Sequence, residues 1–111
     1  MPLSPTEAAA TATWRAGRIA TESIHTGDPG TTGANESTAA RQAVTATASG
    51  GVVTIPAASF TGGAASGPAT YVAVWDSTGK LVATSQAGAG GDSAFNAAGQ
   101  ADVASWTLTE S

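Results

Sequence analysis

Tyr71-Val72-Ala73-Val74-Trp75 and Lys80-Leu81-Val82-Ala83-Thr84, joined by Asp76-Ser77-Thr78-Gly79, decide the fold class. Two runs of β-branched and aromatic residues separated by a short polar turn read as a β-hairpin. Gly79 suits the left-handed position of a type I turn with a bulge. Tyr71, Ala73 and Trp75 share one side of the first strand, and Val72 and Val74 share the other. Both sides are apolar, so this strand is expected to be central and covered on both faces.

Working outward, the same punctuation recurs. Ile19 to Thr26 is compatible with a strand, and the Gly-, Asp-, Pro- and Asn-rich stretch 27–37 reads as a loop with a tight turn. Arg41 to Ala48 reads as one strand, turned by Ser49-Gly50-Gly51 into Val52-Val53-Thr54-Ile55, which Pro56 ends. Residues 57–70 read as a small-residue loop and 87–91 as a glycine-rich one. Ser93-Ala94-Phe95 reads as a short strand, and Asp102 to Thr109 as a final one with Ala104, Trp106 and Leu108 on one side. Short strands with turn signals every ten or so residues indicate an antiparallel β-sandwich, jelly-roll- or Ig-like.

The N-terminus differs. Ser4-Pro5-Thr6-Glu7 combines a capping residue, a proline at the first helical position and a Glu three residues after the cap. The alanine-rich run that follows predicts a helix over 5–16, stopped by Gly17. The chain thus divides into a helical docking segment, 1–18, and one sandwich domain, 19–111. The helix has few bulky residues besides Leu3 and Trp14, so it is expected to dock on a partner. Leu3, Trp14, Arg15 and Arg18 are the candidate interface residues, because tryptophan is over-represented at binding hot spots. Trp75 and Trp106 are expected in the core.

Composition bounds the chemistry. Of 111 residues, 68 are Ala, Thr, Gly or Ser, and only 15 are Leu, Ile, Val or Phe, so the core is thin. There is no cysteine, which removes disulfides, thiolate nucleophiles and thiolate metal sites. Four basic residues and a formal charge of −4 exclude the basic stripe that nucleic-acid binding requires. No apolar run approaches the roughly 20 residues needed to span a bilayer, and the start of the chain has no basic signal-peptide region. A cytoplasmically assembled protein with no membrane partner is expected.

No catalytic, cofactor-binding or metal-ligating set emerges. Gly91-Asp92-Ser93 lacks the frame of a nucleophile elbow, and a serine nucleophile needs a base. His25 is the single histidine, and ahead of a Gly-Asp-Pro-Gly turn it reads as a structural residue. Asp28, Glu36, Asp76, Asp92 and Asp102 show no calcium-loop spacing and read as turn formers.

The stretch from Ser23-Ile24-His25-Thr26-Gly27-Asp28-Pro29-Gly30 through Asn35-Glu36, followed by Ala40-Arg41-Gln42, resembles the small structural proteins of tailed bacteriophages labelled tail fibre or minor tail proteins. Further elements of that pattern follow in order: Val72-Ala73-Val74-Trp75-Asp76, then Ala94-Phe95-Asn96-Ala97-Ala98-Gly99, then the Thr-rich end Ser105–Thr109. Gly27 stands where that family often has Ala, and the N-terminal helix is longer and richer in alanine. The resemblance implies a non-enzymatic virion subunit, homo-oligomeric on the particle and contacting major capsid or tail proteins. A 111-residue chain holds neither fibre shaft nor tip, which favours a capsid decoration role over a minor tail one. A host-surface carbohydrate-binding module is the remaining alternative.

Overall fold

A computed structural model describes residues 4–87 and 94–110. It is mainly β, with antiparallel sheets and one N-terminal helix, as the strand pattern predicts. The elements run α1 (Pro5–Arg18), β1 (Thr21–His25), β2 (Gln42–Ala43), β3 (Thr47–Ser49), β4 (Val52–Ile55), β5 (Ala58–Phe60), β6 (Tyr71–Trp75), β7 (Leu81–Gln86), β8 (Ala101–Val103) and β9 (Trp106–Thr109). The described strands form a four-stranded sheet in the order β2-β1-β6-β7, a three-stranded sheet β3-β4-β9 and the pair β5-β8.

The first strand of the hairpin that decides the fold is central in the larger sheet. β6 lies between β1 and β7, and Val72 to Trp75 are all buried. Its turn closes through the Gly79 N–H on the Asp76 carbonyl at 3.1 Å, with Gly79 at φ +84°. Asp76 organises the turn from its side chain. Its Oδ1 accepts from the Thr78 N–H and hydroxyl and from the Lys80 N–H at 2.7–2.9 Å. These donors, the Thr78 hydroxyl first, hold its carboxyl well below the usual aspartate range.

Four segments depart from the expectations. Arg41 to Ala48 is not one strand: Gln42–Ala43 pairs with β1, and Thr47–Ser49 pairs with β4 in the other sheet. Residues 101–109 split in the same way, with Ala101–Val103 on β5 and Trp106–Thr109 on β4. In both places the chain crosses between sheets, which a continuous apolar pattern does not announce. The predicted loop 57–70 contains β5, whose Phe60 is fully buried. Of the predicted strand Ser93–Phe95, Ala94 makes an isolated bridge to Pro68, and Ser93 lies outside the described residues.

The helix begins as read: Ser4 Oγ accepts the Glu7 N–H at 3.2 Å. It does not stop at Gly17. It continues through Arg18, and the extended Ile19 ends it. Its alanine side, Ala8, Ala12 and Ala16, is buried, and Ala12 and Ala16 join Val53, Ile55 and Val74 in one apolar cluster. Small side chains let the helix axis come close to the sheet, so alanines hold it where bulky anchors are lacking. A second cluster gathers Ile24, Phe60, Val72, Phe95 and Val103. Trp106 packs against both clusters and joins them.

Candidate functional site

The four candidate interface residues fall as follows. Leu3 lies outside the described residues. Trp14, Arg15 and Arg18 come together on the surface of α1. Trp14 is 58% exposed, the single exposed large hydrophobic residue among those described. Arg18 and Arg15 lie 4.7 and 5.9 Å from the centroid of its ring. Neither arginine is free. Arg15 pairs with Glu110 at the end of β9, and Arg18 reaches Asp76 Oδ2 at 3.2 Å. The indole is therefore flanked by guanidinium groups that the body of the protein already positions. A partner meeting it would have less side-chain freedom to freeze.

Inside the molecule, β1 carries polar side chains on both faces. Glu22, Ser23 and His25 are each fully buried. On one face the Trp75 Nε1–H donates to Ser23 Oγ at 2.7 Å, and Ser23 Oγ lies 2.6 Å from His25 Nε2. His25 Nδ1 lies 2.8 Å from the Ala34 carbonyl. A carbonyl only accepts, so the proton sits on Nδ1, and the Ser23 hydroxyl donates to Nε2. Every donor and acceptor in this chain is used. The 27–37 loop covers it. Gly33, at φ +79°, packs against the Trp75 ring so closely that a methyl group there would overlap it. Arg41 stacks 3.9 Å from the Trp75 ring centroid and is held by Glu36 through two 2.9 Å bonds. Those bonds hold the Glu36 carboxyl below its ordinary range.

A serine bonded to a histidine invites a catalytic reading, but here both are sealed under a tryptophan and a loop. Both side chains are buried and hydrogen-bonded within the fold. The strand period could have revealed the pair, because residues two apart on one strand share a face.

On the other face, Glu22 sits where the two apolar clusters meet. Ile24, two residues on, belongs to one, and Val74, opposite Glu22 in the sheet, belongs to the other. The Trp106 Nε1–H donates to Glu22 Oε2 at 2.8 Å, while Oε1 has no partner. Burial pushes the Glu22 carboxyl up to about 7, against the lowering effect of the Trp106 bond. No sequence signal marks Glu22, because its burial depends on a tryptophan 84 residues away.

Among the described residues, no group of three or more His, Asp or Glu is placed to hold a metal ion, and no helix is long and apolar enough to cross a membrane. One concavity among the described residues, of about 600 Å³, is lined by Ile24, Gln86, Ala94, Asp102, Val103 and Trp106 among others, and its described lining brings no acid–base pair together. No family model, curated protein or solved structure matches the chain.

Proposed function

We propose that this chain is a non-enzymatic structural subunit of a tailed-bacteriophage particle, working through protein–protein interfaces, and that it decorates the capsid. The observation that carries the reading is the Trp14 patch: an exposed indole between two positioned arginines, on a helix anchored to a small-residue sandwich. Its chemistry is that of a hot spot, where tryptophan and arginine supply most of the binding energy. The interface is built for a virion protein that offers an apolar pocket with an acceptor-bearing rim. The sequence pattern around residues 23–42 supports the phage context.

The test is incorporation. Particles assembled with Trp14→Ala in place of the parent chain should carry at least tenfold less of the subunit, while the purified variant keeps its circular dichroism spectrum. Normal incorporation of Trp14→Ala would remove the patch from the interface. Gold labelling of intact particles separates the two locations: label over heads supports decoration, and label confined to tails replaces it with the minor tail role.

A further inference from the structure

We propose that β9 is a pH-operated strap: its seating on the core depends on a proton carried by Glu22, and its far end controls the Trp14 patch through Glu110 and Arg15. The two ends of this four-residue strand meet those groups. At its start, the Trp106 indole packs on both apolar clusters and donates to Glu22 Oε2 at 2.8 Å, the one bond the carboxyl makes among the described residues. Just past its end, the Glu110 N–H donates to the Gly51 carbonyl at 2.7 Å, and the Glu110 carboxylate holds Arg15 beside the Trp14 ring. Between these points, β9 pairs with β4 alone among the described residues. Glu22, by contrast, lies on β1, held between β2 and β6 in the larger sheet. Ala104 and Ser105, exposed and outside any strand, join β9 to β8. The element free to move is therefore β9, with its hinge at 104–105.

A carboxyl with one hydrogen-bond partner is tolerated in a dry core as the neutral acid, whereas the ion needs a countercharge or further donors. Among the described residues no charged side chain supplies them. Val74 and Gln42 lie opposite Glu22 in the sheet, and Gln42 bonds the Ala40 carbonyl. Arg15, Arg18 and Arg41 are paired with Glu110, Asp76 and Glu36. His25 and Tyr71, opposite each other in the register, lie on the other face of the sheet. Glu7, Asp28, Lys80 and Asp102 are exposed. Burial accordingly keeps the Glu22 proton up to about 7. Above that, the carboxylate gains by meeting water, and Trp106 is the group that covers it from the other sheet. Release of Trp106 lifts β9, and Glu110 leaves Arg15 with it. Coupling between two sites needs an element with two arrangements that both sites bias, and β9 is that element. The Trp14 patch is preorganised below neutral pH and loosened above it, where a partner must freeze Arg15 on binding. Control of an interface rests on the reading of Trp14 as the docking patch; the movement of β9 does not.

The test is a pH titration of the purified full chain by heteronuclear magnetic resonance with hydrogen exchange, which needs no partner. Between about pH 5 and 8, the protection factors of the 106–109 amides should fall roughly tenfold or more relative to those of 72–75 in β6. The Arg15 Nε resonance should move with the same midpoint. Glu22→Gln keeps an acceptor for the Trp106 N–H but cannot ionise, so both responses should vanish in it. Equal loss of protection in 72–75 and 106–109 means that the fold loosens as a whole, and overturns the strap. So does protection of 106–109 that does not change with pH, or a response that persists in folded Glu22→Gln. An Arg15 resonance that stays still while 106–109 opens overturns the link to the patch. Should Glu22→Gln fail to fold, the parent titration decides alone. Normal incorporation of Trp14→Ala into particles removes the docking reading and leaves each of these outcomes as it is.

Discussion

The two faces of β1 meet burial in opposite ways. On the Ser23–His25 face, Trp75, Ser23, His25 and the Ala34 carbonyl form a hydrogen-bond chain in which each group has its partner. On the Glu22 face, one indole N–H meets one carboxyl oxygen, and the other oxygen is left alone in an apolar core. Both faces are equally dry, and both are closed by a tryptophan. The difference lies in the count of hydrogen-bond partners. A loop built around Gly33 and Ala34 brings a backbone acceptor to the first face, whereas on the second only the Trp106 indole bonds the Glu22 carboxyl. A completed network fixes geometry and costs little, while an incomplete one leaves stability dependent on the proton that neutralises the carboxyl.

Gly33→Val should break the comparison hardest. It places a branched side chain at φ +79° and into the Trp75 ring, combining backbone strain with overpacking. A loss of about 4 kcal/mol or more is expected, and thermal unfolding of the variant would show it as failure to fold or a large drop in Tm. Ser23→Ala removes the centre of the satisfied chain and leaves the Trp75 N–H and His25 Nε2 without partners. At about 1–3 kcal/mol for each orphaned group, the expected loss is roughly 2–6 kcal/mol, measured by urea titration.

Glu22→Gln sharpens the contrast from the other side. The folded carboxyl titrates near 7 and the unfolded one near 4.5. Its folded value is raised, so its contribution is fully present below about pH 4.5 and is lost as pH rises through 7. The parent should therefore lose stability between pH 5 and 8, by up to about 3 kcal/mol for a rise of this size. Glu22→Gln should flatten that part of the profile, and a parent profile already flat there would contradict the assignment. The smallest effect belongs to Gly30→Ala. Gly30 also holds positive φ, at +60°, but nothing lies within 4 Å of the position a methyl would take. A cost of about 1 kcal/mol, from backbone strain alone, is expected, and a loss as large as that of Gly33→Val would show that the whole loop, rather than its contact with Trp75, is rigid.

The polar residues of β1 show why the site was harder to read than the fold. Ser23 and His25 are two apart, so the strand assignment alone puts them on one face. What brings them partners is Trp75, 52 residues on, and a loop carbonyl held in place by its turns. Trp14 was legible because an alanine helix offers it no local neighbours. That Arg15 and Arg18 are fixed beside it was not, since Glu110 and Asp76 arrive from distant strands.

By itself, the sequence determined the helix start at Ser4, the β6–β7 hairpin with its turn at Asp76–Gly79, the covered central strand and the β class. Each rests on residues adjacent in the chain: a cap and its third neighbour, a two-residue period, a glycine at a left-handed position. The tertiary structure decided where strands change sheets at 43–47 and 103–106, that the helix runs past Gly17, and which polar side chains are buried. Those outcomes depend on pairing across long sequence separations, where the free energy of packing and hydrogen bonding outweighs local preference. The alanine helix lies where its small side chains fit the sheet, and Glu22 is dry because the two halves of the core close over it.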